Sequence, residues 1–140
     1  MMRTERAMRT ISSDAVPIRV LMVEDEILIS EWVAETLEEQ GLAVYCAANA
    51  TEALRYLASA PVDVLFTDIN LGGGMDGTAL ARRARELSPG LSVVYASARV
   101  MLDAKSRVPD SVFVPKPYVP ALVGRLIANS VKANLAHVPA

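Results

Sequence analysis

One cysteine, Cys46, stands in a chain of 140 residues, so no intramolecular disulfide can form and a reducing compartment is expected. Cys46 lies in the apolar run from Ala43 to Ala47, which reads as a packed strand position rather than a reactive thiol. No run of about 18 apolar residues occurs, which excludes a membrane-spanning helix and removes the membrane from the expected partners. Excess positive charge is also missing. Lys and Arg number 14 against 16 Asp and Glu, for a net charge of −2; with no local basic block either, nucleic acid is not an expected partner. Arg3, Arg6 and Arg9 near the start have no apolar segment beside them, so residues 1–16 read as a flexible extension and not as a secretory signal. The only histidine, His137, falls in the C-terminal tail and is not read as a ligand. Aromatic residues make up 5% of the chain against 52% hydrophobic. A core of Val, Leu, Ile and Ala suits buried strands covered by helices better than an all-β sandwich.

What is present is a five-fold alternation of short apolar runs and helical periodicity from Ile18 onward. Strands are expected at Ile18 to Val23, Ala43 to Ala47, Val62 to Thr67, Leu91 to Ala96 and Ser111 to Val114. The first helix should run from about Ile27 to Gln40, with Gly41 as its stop. Asn49 or Thr51 caps a second helix that ends near Ser59, before Pro61. Gly72-Gly73-Gly74 is read as a loop, because three glycines lose too much backbone entropy to hold a helix or strand. Asp76 opens a third helix to about Leu87. Only a short helix, Val100 to Arg107, fits before Pro109, and a last helix spans roughly Val119 to Ala133. The length prior gives one domain at residues 17–133, with a loose tail at 134–140.

Chemistry-bearing residues follow the apolar runs: Glu24-Asp25 after the first, Asp68 after the third, Ser97 after the fourth and Lys116 after the fifth. In a parallel α/β sheet all strands end along one edge, so these side chains are expected to meet there. Like carboxylates raise one another's pKa unless a cation joins them. An all-oxygen set of Glu24, Asp25, Asp68 and the backbone carbonyl of Asn70 suits Mg²⁺, which keeps several waters and accepts phosphoryl oxygens. A carboxylate can also act as a nucleophile toward phosphorus, given positive charge such as that of Lys116 to offset the phosphoryl oxygens. Ser97 can donate a hydrogen bond to a phosphate oxygen. The Lys116-Pro117 bond is the chain's candidate for a cis peptide.

On Glu24-Asp25, Asp68, Asp76-Gly77, Ser97-Ala98 and Lys116-Pro117, spread over about Ile18 to Ile127, the chain resembles the receiver domains of two-component response regulators. The resemblance implies a cytoplasmic, flavodoxin-like, doubly wound α/β domain with a five-stranded parallel sheet in the order 2-1-3-4-5, and the chain's short fourth interval is expected to shorten its fourth helix. It implies that Asp68 is a phosphoacceptor, taking its phosphoryl group from a histidine kinase or a histidine phosphotransfer protein. Glu24 and Asp25 would hold Mg²⁺, Lys116 and Ser97 would bind the phosphate, and Ser97 with the aromatic Phe113 would form the switch. Phe113 reads equally well as plain core. Such a domain catalyses at most its own phosphorylation and dephosphorylation, and signals by binding a downstream protein.

The chain departs from the family pattern in three places. Three glycines stand where the family often has a proline after the phosphoacceptor, and the interval from Ser97 to Lys116 is short. The third is weaker: Tyr95-Ala96-Ser97-Ala98 with Lys116-Pro117-Tyr118 loosely resembles a subgroup of single-domain regulators marked by Phe-Ala-Thr-Gly and Lys-Pro-Tyr, three of the first four positions differing. Two other readings stand beside this one. A haloacid dehalogenase-type phosphohydrolase needs an aspartate two residues after its nucleophile, where this chain has Asn70. A receiver-like docking module would work without phosphorylation. Trp32 is read as packed or partly exposed, not as a cofactor platform.

Overall fold

The structure, a computed structural model, describes residues 16–72, 75–98 and 106–137. Its elements are β1 (Arg19–Val23), α1 (Ile27–Glu39), β2 (Ala43–Ala47), α2 (Ala50–Ser59), β3 (Val64–Asp68), α3 (Gly77–Leu87), β4 (Ser92–Ser97), β5 (Ser111–Pro115) and α4 (Pro120–His137). The five strands form one parallel sheet in the order β2-β1-β3-β4-β5, as the resemblance implied.

Successive residues of a strand face opposite sides of the sheet, and two cores follow from this period. Leu21, Val23, Leu65, Val93 and Tyr95 pack on one face with Ala53 of α2 and Leu80, Ala81 and Ala84 of α3. Val20, Met22, Val64, Phe66, Val94 and Ala96 pack on the other with Val33, Ala34 and Leu37 of α1 and Val123 and Ile127 of α4. The central strands are therefore apolar on both faces. Edge strand β2 is only partly buried, and Tyr45 on it stacks on Tyr56 of α2 with ring centroids 3.9 Å apart.

Helix ends follow their local chemistry. Asn49, not Thr51, caps α2: its side chain accepts the Glu52 N–H at 2.9 Å, while the Glu52 carboxylate accepts the Ala48 N–H at 3.0 Å, a reciprocal pair. Asp76 caps α3 by accepting the Ala79 N–H at 2.9 Å, and those bonds hold its carboxyl below the usual aspartate pKa. Gly41 ends α1 with φ of +92°, a left-handed conformation that glycine adopts freely.

At the amino end of the sheet Arg19 and Asp63 close a two-pronged pair. Nε and Nη2 of Arg19 donate to the carboxylate at 3.1 and 3.2 Å, and the Arg19 backbone N–H adds a third bond at 2.8 Å. The hydrogen bonds to Asp63 push the guanidinium pKa upward. β3 starts at Val64 and not at Val62, although the Asp63 backbone still bonds to both neighbours, its N–H donating to Arg19 O at 2.9 Å and its carbonyl accepting the Ser92 N–H at 3.1 Å.

Two other expectations change. The last helix runs past Ala133 through His137, longer than its expected end; Leu135 and Ala136 favour helix, and no proline intervenes before Pro139. The short helix expected at Val100 to Arg107 lies almost wholly outside the described residues, as do Gly73, Gly74 and the extension before Val16; Ser106 and Arg107 form a turn. Among the described residues, no helix is long and apolar enough to cross a membrane.

Candidate functional site

Parallel register carries the strand ends to one edge. Val23 is level with Thr67 on β3, Asp68 with Ala96 on β4, and Ser97 with Pro115 on β5. The residues that follow these positions must then converge, and they do. Lys116 Nζ lies 3.0 Å from Asp68 Oδ2 and 3.8 Å from Glu24 Oε1. Glu24 is buried, with only 7% of its side chain exposed, and Asp68 has 12%. One ammonium thus bridges two largely buried carboxylates drawn from different strands.

Local backbone fixes each group. The Glu24 N–H donates to Ala47 O at 3.1 Å, continuing the β1–β2 pairing past the strand end. Glu24 Oε2 accepts the Glu26 N–H at 3.1 Å, so this carboxylate also satisfies an amide at the start of α1, whose N-cap, Glu26, makes no side-chain cap of its own. Asn70 donates its N–H to Asp68 Oδ1 at 3.4 Å. Ser97 is buried at the end of β4, and its carbonyl accepts the Lys116 N–H at 2.8 Å. The peptide bond between Lys116 and Pro117 is cis.

Gly77 sets the loop after Asp68 against α3. Its N–H donates to Ile69 O at 2.8 Å, and a Cβ built there would collide with the Asp68 carbonyl oxygen and stand 2.8 Å from the Ile69 Cα. Those neighbours are backbone and cannot swing aside, so only glycine fits this approach. The Asp-Gly pair at positions 76 and 77 was the visible signal for it.

Electrostatics single out Glu24. Burial pushes its carboxyl above the ordinary glutamate pKa, the Glu26 N–H and Lys116 pull it down, and Asp68 and Asp25 push it up again. Tyr118 responds to the same field: burial, reinforced by the Glu24 and Asp68 charges, pushes its phenol up to about 12. Perturbation by burial together with named charges is the pattern found at functional sites.

The expected residues are placed unequally. Glu24, Asp68 and Lys116 meet directly. Asp25 is exposed beside the loop that follows Asp68, where a Cβ on Gly72 would lie 3.7 Å from its Oδ2. Phe113 sits apart on β5, half-buried against the core shared with α3. Among the described residues no three His, Cys, Asp or Glu side chains close tightly enough to hold a metal as they stand. The oxygen donors nevertheless have the chemistry of an Mg²⁺ set, and the shared negative charge between Glu24, Asp68 and Asp25 is what such a cation relieves.

Sequence alone missed an apolar groove of about 380 Å³ beside this pocket, lined by Ile29, Trp32, Ala98, Lys116, Pro117 and Tyr118. Trp32 is 57% exposed on its rim. The groove joins α1 to two distant strand ends, so no short motif could have signalled it.

Comparison with known proteins agrees with this arrangement. The sequence profile of the response regulator receiver domain matches residues 20–119. The response regulator receiver protein CpdR of Brucella abortus is 34% identical over 103 residues, 71% of this chain and 85% of that protein. The DNA-binding transcriptional regulator NtrC of Escherichia coli is 37% identical over 118 residues, but the match spans only 25% of its length. The crystal structure of a response regulator receiver protein from Sinorhizobium medicae superposes with a TM-score of 0.79 at 29% identity, covering 84% of this chain and 97% of that one. Fold, strand-end pocket and these matches together establish that the chain belongs to the response regulator receiver domain family of two-component signalling.

Proposed function

We propose that Asp68 accepts a phosphoryl group from the phosphohistidine of a histidine kinase or histidine phosphotransfer protein. The observation that carries this reading is the Lys116 ammonium held 3.0 Å from Asp68 Oδ2 and 3.8 Å from Glu24. An Asp68 oxygen attacks phosphorus, the P–N bond of the donor breaks, and its electron pair leaves on the imidazole nitrogen; a ring already protonated at its other nitrogen departs as neutral imidazole, and an unprotonated ring takes a proton from solvent as it leaves. Lys116 stays beside the carboxylate and offsets the charge of the incoming phosphoryl oxygens. Glu24, Asp25, Asp68 and the Asn70 carbonyl are the groups that would hold Mg²⁺. When bound, that ion supplies charge neutralisation between carboxylates and phosphoryl oxygens. Ser97, whose carbonyl accepts the Lys116 N–H, would donate to a phosphate oxygen, and Phe113 would be the aromatic that follows its movement.

The apolar groove beside Lys116 favours a protein donor, since it offers apolar contact area next to the reacting carboxylate. The output is a protein–protein interaction in the cytoplasm, and the domain catalyses at most its own phosphorylation and dephosphorylation. Intact-mass measurement after incubation with a small acyl phosphate and Mg²⁺ tests the assignment. Wild type should gain one phosphoryl group and Asp68→Asn none. Equal uptake by both would move the modification elsewhere, and uptake by neither would leave a docking module.

A further inference from the structure

Outside the carboxylate pocket, the segment that leads into β5 is held by three side chains from other elements. Tyr95 of β4 is fully buried, and its hydroxyl accepts the Val108 N–H at 3.1 Å. From α3, Arg85 donates through Nη1 to Pro109 O at 2.9 Å and through Nε to Leu91 O at 2.8 Å, while Arg82 Nη1 reaches Ser106 O at 3.4 Å. Inside the segment, Ser111 Oγ donates to Val108 O at 2.7 Å and Asp110 adopts φ of +57°. Val108 itself is buried in the core that contains Tyr95, Leu80 and Leu91.

Phenylalanine would fill the space of the Tyr95 ring equally well. What the hydroxyl adds is a partner for a buried N–H that water cannot reach. The same elements reach the Asp68 loop at their other ends. Gly77, the first residue of α3, packs its Cα against the Asp68 carbonyl and donates its N–H to Ile69 O. The Ile69 N–H donates to Ala96 O at 3.0 Å, one residue along β4 from Tyr95. Tyr95 and Ser97 share a face of β4, and Phe113 is the register partner of Tyr95 on β5.

We propose that Tyr95, Arg82 and Arg85 form a latch that fastens residues 106–110 to β4 and α3 in the unmodified protein, and that occupancy at Asp68 releases it through those two elements. The release half rests on Asp68 being the phosphoacceptor; the fastening half does not. Tyr95 is a positioning residue, since it acts on the segment and touches no reacting atom.

Hydrogen exchange read by mass spectrometry on the full chain tests both halves, with Mg²⁺ and beryllofluoride as the phosphoryl mimic. In resting Tyr95→Phe, amides at 106–111 should exchange about tenfold faster than in wild type, the effect of losing one buried hydrogen bond. Arg85→Gln, which loosens the same segment from α3, should give the same pattern. Beryllofluoride should speed exchange at 106–111 in wild type and add little in Tyr95→Phe. Unchanged exchange in both resting variants overturns the latch. A beryllofluoride response as large in Tyr95→Phe as in wild type overturns the coupling. Fluorescence of Trp32, on the rim of the groove that Lys116 lines, reports occupancy separately. Wild type silent in both fluorescence and phosphoryl uptake defeats the phosphoacceptor reading and with it the release half, while the resting variants still decide the fastening.

Discussion

Strands β1 and β3 lie side by side, and their two ends carry opposite electrostatic designs. At the amino end Arg19 and Asp63 pair plus with minus through two side-chain bonds and one backbone bond. At the carboxyl end Glu24 and Asp68 bring minus to minus, with Lys116 between them. The first arrangement satisfies its charges within the fold. The second leaves more negative than positive charge in a partly buried pocket, and such an imbalance is retained where a ligand completes it. On the proposed function, stability and reactivity fall at opposite ends of the same pair of strands.

Matched Asp→Asn substitutions at the two ends test that separation. Asp68→Asn should abolish phosphoryl uptake by mass while moving the unfolding free energy by less than about 1 kcal/mol, because one weak ion pair is lost as one like-charge contact is relieved. Asp63→Asn should do the reverse, keeping uptake and losing about 1–2 kcal/mol, read as a melting temperature lower by roughly 3–8 °C. Uptake lost at both positions would mean that the two ends are not independent.

Gly77→Ala should perturb the carboxyl end from behind. With a methyl group forced against the Asp68 carbonyl and Ile69, the loop must shift, at a cost of about 1–3 kcal/mol in denaturant unfolding and with slower uptake. The cap at Asp76 should give the smallest effect, about 1 kcal/mol for Asp76→Ala. Its folded pKa lies below the ordinary value of 3.8. Its contribution is therefore present above that value and fades as pH falls through the lower folded pKa. Asp76→Asn should keep the cap at neutral pH and remove this acid-side loss, which thermal melts across the pH range would reveal.

Strand order and pocket membership were legible because buried parallel strands are written as continuous apolar runs and because the charged residues that meet in the pocket follow them directly. Glu24, Asp68 and Lys116 needed no more than that. The pairing of Asp63 with Arg19, 44 positions away, could not be read from the run, because it depends on a partner in another strand. The groove and the Tyr95–Val108 bond were invisible for a related reason: each depends on a partner in a different element, and no local preference encodes the pairing. The length of α4 was a different kind of miss. Helix-favouring residues beyond Ala133 were passed over because chain ends commonly fray.

The two ion pairs span successive parts of the chain: residues 19 and 63 are 44 apart, and residues 68 and 116 are 48 apart. A ribosome releases the partners of the first clasp well before Lys116 emerges, so the amino end of the sheet can be fastened while the carboxyl end still lacks its cation. The carboxyl-end pocket is then completed only after the amino-end clasp, with α4 still to be made, and a nascent chain stalled before Lys116 holds the clasp without the pocket's cation.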